Sequence, residues 1–366
     1  MVLLLLRQPA DQKSHIANLP QAVEVDREES SVDDLVKAIQ SSTHLAPSRL
    51  RLFLASSKTA LVPNSPLNAY DMHDGTRVVV KDLGPQISRR TLLMTAYSGP
   101  VVIHLLFFYC QTLFYGTKFQ HSASQFLAFT LITLHFAKRV FETLFVHVFY
   151  RITVSFYSIY VYILHYWVLS GVFMAYYIYY PTCLPVQYST SAIDHAASNL
   201  AACSSSVSLM SSTAESEETS LYFLSAVWIF AELSNFETHL IIANMRLRFP
   251  RQAATARSMI ARRARTANAR LLGLRSLSSA SHFASSMARR FPKGYGFDWV
   301  SCPNYFFELL AWTMITLITR SFASLLFLVA SAMQMWRKAA RKHEMYKKEF
   351  GAEYPKYRKV LIPFIK

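Results

Sequence analysis

The sequence predicts a mainly α-helical, polytopic membrane protein with a small water-soluble segment ahead of it. From about Leu92 to Tyr180, from Leu221 to Ala243 and from Tyr305 to Trp336 the chain is apolar. These runs reach or exceed the roughly 20 residues that cross a bilayer core. A soluble chain of 366 residues that is 52% hydrophobic and 14% aromatic would interrupt them with charges every few positions.

Residues 1–83 are polar. Val2–Leu6 and Leu50–Leu54 read as strands, Ser30–Gln40 (SSVDDLVKAIQ) as a capped helix, and Thr76–Val80 (TRVVV) as a closing strand. This order resembles a ubiquitin-like β-grasp. No Gly-Gly closes it, so the segment is expected to be a fused, non-conjugating module. Residues 84–366 form the transmembrane part, with a distinct C-terminal segment from about 220.

Spans are expected near 92–115, 124–137, 152–181, 220–243, 304–319 and 321–336. The Ser-rich loop from Cys183 to Thr219 contains no Lys or Arg, whereas the stretch from Arg246 to Arg290 is Arg-rich and contains no Asp or Glu. Positive-inside bias puts the first on the lumenal side, and the second, with the basic tail from Arg337, in the cytosol. Six spans satisfy this with both termini cytosolic. The run 152–181 is long enough for one tilted helix or two broken ones, which leaves seven open. Val2–Leu6 is too short for a signal peptide, so targeting falls to an internal span.

The net charge of +16 suits cytosolic loops beside anionic headgroups. No base-reading motif supports nucleic acid as a partner. Cys110, Cys183, Cys203 and Cys302 lack metal-ligand or disulfide-framework spacing. GxGxxG, GxxxxGK[ST], GxSxG and HExxH are all absent, so no metal is expected and any cofactor is held by the helices and cytosolic loops themselves. The Arg-rich stretch at about 251–288 reads equally as an interfacial amphipathic helix or an unstructured insertion.

Ionisable groups in apolar spans are costly and therefore functional candidates. Lys138, Arg139 and Glu142 follow the second run, Asn235, Glu237 and His239 interrupt the fourth, Asn304 and Glu308 open the fifth, and His343 and Tyr346 follow the sixth. Asn235 and His239, like Asn304 and Glu308, are four apart and share a helix face. The bland alternative is that such residues snorkel, cap helices or bridge spans. An unpaired Lys138 would lose its proton in an apolar setting, so it needs an acidic companion, with Glu142 nearest in sequence.

The segments SCPNYFFELLAW (Ser301–Trp312) and KHEMYKKEFGAEYPKYRKVLIPF (Lys342–Phe364) resemble the C-terminal domain of the 3-oxo-5-alpha-steroid 4-dehydrogenase superfamily. KDLGPQIS (Lys81–Ser88), LHFAKRVFETLFVHVF (Leu134–Phe149) and SCPNY (Ser301–Tyr305) look more closely like the very-long-chain enoyl-CoA reductases, which also carry a ubiquitin-like N-terminal segment. The resemblance implies an endoplasmic-reticulum membrane enzyme that uses NADPH to reduce a long-chain trans-2-enoyl-CoA. That is the last step of each fatty-acid elongation cycle, and other elongation enzymes would be its partners.

Lys138 of the HFAKR segment and Tyr305 of CPNY are the implied catalytic residues. The implied cofactor face comprises Asn235, His239, Arg246, Asn304, Glu308, His343 and Tyr346; the steroid branch has an acidic residue where this chain has His239. The loops 183–219 and 251–288 are longer than the family pattern. A reductase of another enone, such as a steroid or polyprenal, differs only in what its cavity admits. A non-catalytic membrane scaffold predicts no cofactor binding.

Overall fold

The computed structural model describes residues 2–9, 16–26, 30–57, 59–63, 65–67, 70, 72–149, 153–181, 210–266 and 291–363, with side chains in the long central helix limited to 218–247. Cys183, Cys203 and most of the Ser-rich loop expected on the lumenal side lie outside these residues, as do the side chains of the Arg-rich stretch. The chain divides into two compact units.

The first unit gathers residues 1–89, 149–158 and 245–290. Its main sheet has the order β2-β1-β4-β3, formed by β1 (Val2–Arg7), β2 (Ala22–Val25), β3 (Leu50–Leu54) and β4 (Thr76–Asp82). β1 and β4 run parallel and the outer pairs antiparallel. Period-two alternation buries Leu50, Leu52 and Leu54 of β3 and Val78 and Val80 of β4. Helix α1 (Val32–Thr43) buries Val32, Leu35 and Ile39, at helical spacing, in the same core. Each such side chain contributes about 1.5–3 kcal/mol.

Ser31 caps α1 reciprocally with Asp34, and α1 ends at His44 in the left-handed region, one residue beyond Thr43. Asp82 receives Arg49 through two contacts of 3.0 and 2.5 Å, tying the turn before β3 to the end of β4. β2 was not foreseen from the sequence. Nor was the pairing of β5 (Gln86–Ser88) with β6 (Thr153–Ser155), which makes residues 153–155 extended where a helical span was expected.

The second unit comprises residues 90–148, 159–244 and 291–366 and is helical. Its helices are α2 (Arg89–Tyr109), α3 (Gln111–Tyr115), α4 (Ala123–Phe141), α5 (Ser158–Ile178), the part of α6 (Met210–Thr266) up to residue 244, α7 (Pro303–Thr319) and α8 (Phe322–Phe350). Among the described residues, α2 and α5 are long and apolar enough to cross a membrane by length and composition. The first apolar run breaks at Cys110 into α2 and α3 rather than continuing to 115. The long third run forms one continuous helix whose middle, Leu164–Phe173, has π-helical turns.

α7 packs on α4 and α8, and α8 on α5. Trp312 fills the centre, its ring 4.9 Å from His135 and 4.5 Å from Phe327 between centroids. Capping sets the boundaries: Ser122 with Gln125 opens α4, Pro303 occupies the first turn of α7, and Ser321 caps α8. Gly99 of α2 lies directly under the Trp167 indole, where a Cβ would overlap the ring.

Two outcomes follow for stability. Gly99→Val should force Trp167 aside and lower the thermal midpoint, at a cost of about 1–3 kcal/mol for overpacking. The Ser31 hydroxyl and backbone N–H hold the Asp34 carboxyl down at about 2. Because the folded value is depressed, this contribution is present above pH 4 and is lost as pH falls toward 2. Ser31→Ala should therefore destabilise the protein at neutral pH by more than it does at pH 2, as read by thermal unfolding at the two pH values.

Candidate active site

Three helices of the second unit each carry a polar stripe at helical spacing. α4 supplies His135, Lys138, Arg139 and, at its end, Glu142; α6 supplies Glu232, Asn235 and His239; α7 supplies Asn304 and Glu308. Side chains three, four and seven apart lie on one face, so each stripe turns inward together. The end of α4 widens into a π-helical turn over Glu142–Val146, a feature that re-aims side chains and is frequent at functional sites.

The Lys138 ammonium is surrounded by acceptors. It donates to Glu232 Oε2 and Asn235 Oδ1, both at 2.7 Å, and lies 3.2 Å from Glu142 Oε1. Arg139 donates to Glu142 Oε2 at 2.6 Å, to the Tyr97 hydroxyl at 3.2 Å and to His239 Nε2 at 3.1 Å, and lies 3.8 Å from Glu308. His135 faces carboxylates with both ring nitrogens, Glu232 at 2.6 Å and Glu308 at 3.4 Å. Carboxylates only accept, so both imidazole nitrogens carry protons here. Asn235 Nδ2 donates to the Asn304 carbonyl at 2.8 Å and to Glu308 at 3.1 Å.

Three cations thus meet three carboxylates: Lys138, Arg139 and the His135 imidazolium against Glu142, Glu232 and Glu308. Inside an apolar bundle such charges persist only when paired and hydrogen-bonded. Glu142, His147 and His239 also converge closely enough to hold a cation. The Arg139 guanidinium already supplies one there, bonded to both Glu142 and His239.

The expected companion of Lys138, Glu142, is present, and Glu232 is a closer second one that sequence reasoning missed. His135 and Tyr97 were also missed. The signal for Glu232 and His135 was available: Glu232, Asn235 and His239 step by three and four, as do His135, Lys138 and Glu142. Glu237, between Asn235 and His239 in sequence, is exposed.

Of the residues expected at the site, Lys138, Asn235, His239, Asn304 and Glu308 come together. Tyr305 does not enter their hydrogen-bond network; it packs beside Cys302, Ala339 and Leu361, and its hydroxyl has no hydrogen bond among the described residues. Lys342 and Arg139 are the cations whose field reaches it. His343 and Tyr346 belong to a second cluster with Ser301, Tyr354 and Phe291. Arg246 falls in the first unit.

A helical bundle with an ionised, charge-matched centre meets its classification in the C-terminal segment. Residues 272–366 match the family 3-oxo-5-alpha-steroid 4-dehydrogenase, which together with the relatives below marks the protein as an oxidoreductase. Similar proteins extend the match to most of the chain. A Schizosaccharomyces pombe protein bearing the name of an enoyl reductase is 36% identical over 349 residues, 95% of this chain and 96% of its own length. The very-long-chain enoyl-CoA reductase of Dictyostelium discoideum is 29% identical over 344 residues, 92% of each chain. A Caenorhabditis elegans protein also named for very-long-chain enoyl-CoA reductase is 28% identical over 296 residues, 78% of this chain and 74% of its own. The chain belongs to the enoyl-CoA reductase family.

Removing Glu232 should expose how much the cluster depends on balance. Glu232→Ala takes the nearest carboxylate from both Lys138 and His135, leaving only the longer contacts to Glu142 at 3.2 Å and Glu308 at 3.4 Å, and should cost about 3–5 kcal/mol, measured as a lowered thermal midpoint in detergent. Glu232→Gln, which keeps an acceptor, should lose less.

Proposed function

We propose that the protein reduces the carbon–carbon double bond of a long-chain trans-2-enoyl-CoA with NADPH, as the last step of the fatty-acid elongation cycle. The convergence of Lys138, Asn235, Asn304 and Glu308 from three separate helices into one buried cluster carries this reading, because buried ionisable groups in an apolar bundle mark a reaction site before they mark stability. The relatives' names supply the substrate class.

The residues present fit a dinucleotide. Asn304 Oδ1 is buried without a hydrogen-bond partner and can accept from a carboxamide N–H, while the exposed cations Arg337, Arg341, Lys347 and Lys348 of α8 suit phosphates of NADPH and CoA. When bound, NADPH supplies the hydride that reaches Cβ of the enoyl thioester. Charge then moves onto the thioester oxygen, and a proton must arrive at Cα. In this reading the Tyr305 hydroxyl donates that proton. Lys138 is the cation assigned to the developing enolate, with Arg139 beside it; both are held in place by carboxylates, so little reorganisation is needed as charge develops. Asn235, His239, Asn304, Glu308, His343 and Tyr346 form the cofactor side.

The wider assignment is a multi-pass protein of the endoplasmic-reticulum membrane with six spans, both termini cytosolic, and other elongation enzymes as partners. Residues 1–83 act as a ubiquitin-like module fused to it.

Detergent-solubilised protein given NADPH and a trans-2-enoyl-CoA should oxidise the cofactor, read as loss of its absorbance. Tyr305→Phe should lower turnover by about 10²–10⁴-fold while NADPH binding stays within about threefold. Full turnover in that variant would remove Tyr305 from the reaction.

A further inference from the structure

The second polar cluster of the helical unit has a hydrogen-bond pattern with a single solution. Ser301, wholly buried, stands two residues before α7. Its Oγ lies 2.6 Å from His343 Nδ1, 2.6 Å from the Tyr354 hydroxyl and 3.1 Å from the Lys359 carbonyl oxygen. The carbonyl can only accept, and a hydroxyl has one proton to give and two lone pairs to receive with. The Tyr354 hydroxyl also lies 3.3 Å from His343 Nδ1, and all four contacts are met only if Ser301 donates to Lys359, the Tyr354 O–H donates to Ser301, and the His343 Nδ1–H is shared between the Ser301 and Tyr354 oxygens. The neutral imidazole is thereby fixed as the Nδ1–H tautomer, and Nε2 is left with a bare lone pair. Nε2 has no hydrogen-bond partner among the described residues.

The surroundings point to what that lone pair receives. Burial, and then the charge of Lys347 one turn on, push His343 down from its ordinary value, in keeping with a neutral ring. Cations border the same cluster: Lys342 lies over the Tyr346 ring, and Arg358 lies over Phe291 and Tyr354. One neutral acceptor among fixed positive charges matches a ligand that combines hydroxyl or amino donors with anionic phosphates, as a dinucleotide does.

We infer that Ser301 and Tyr354 are positioning residues, which set His343 to accept at Nε2 a hydrogen bond from a hydroxyl or amino group of the bound dinucleotide. This rests on the cofactor-side role proposed above for His343. A purely structural network, holding the segment around Lys359 against α8, would leave NADPH affinity unchanged when Ser301 is altered.

The experiment uses full-length protein in detergent with ¹⁵N-labelled histidine, the His343 signals being assigned by their loss in His343→Gln. The expected spectrum shows Nδ1 protonated and Nε2 bare, with the Nε2 signal moving on addition of NADPH. In parallel, NADPH affinity is read from the fluorescence of the bound cofactor. Ser301→Ala should weaken it about tenfold, the scale of one hydrogen bond, while the KM for enoyl-CoA stays within about twofold. Ser301→Thr, which keeps the hydroxyl, should retain the affinity, and Tyr354→Phe should lose part of it. In a His343→Gln background Ser301→Ala should add nothing, because it acts through the ring.

An Nε2-protonated ring in the wild type, unchanged affinity in Ser301→Ala, or losses that add in the double variant would each overturn the inference. A wild-type protein with a bare Nε2 that binds no NADPH overturns the functional reading and the ligand named here. One that binds NADPH with Nε2 protonated overturns the positioning role alone.

Discussion

The helical unit depends on one balance of charge. Lys138, Arg139 and the His135 imidazolium sit among aromatic and aliphatic side chains where an isolated ion would cost several kcal/mol to desolvate. Glu142, Glu232 and Glu308 offset them one for one, at contacts from 2.6 to 3.8 Å. Because these six groups come from three helices, α4, α6 and α7 cannot rotate or slide independently without separating a charge from its partner. Hydrophobic packing around Trp312 brings the helices together, and the ion pairs select the one rotational setting in which all charges are met. The cluster contributes specificity to the bundle even where its net stabilisation is small.

Much of this was legible in the sequence because helix and strand periodicity are local properties. The apolar runs announced the bundle. α1 was visible from its Ser-rich start and acidic first turn, and β1, β3 and β4 from their short runs of leucine and valine. β2, four residues of AVEV, carries too little pattern to stand out and is held by pairing with β1. The β5–β6 pairing joins segments on either side of three helices, which no local signal encodes.

The site shows the same division. Stripes such as Asn304 and Glu308 follow from helix geometry, whereas the closest carboxylate to Lys138 comes from Glu232, far along the chain. Tyr305 is instructive for the opposite reason. It adjoins Asn304 in sequence, yet successive residues on a helix point about 100° apart, so Asn304 turns into the ionic cluster and Tyr305 packs elsewhere. Adjacency in a motif is not adjacency of side chains.

The start of α7 stands between two polar assemblies. Ser301 anchors one of them through its hydroxyl, and Asn304, about one helical turn away, closes the other through its carbonyl. This short piece of backbone is common to both. The start of α7 is thus the shortest covalent path between the two hydrogen-bond assemblies, three residues from hydroxyl to carbonyl.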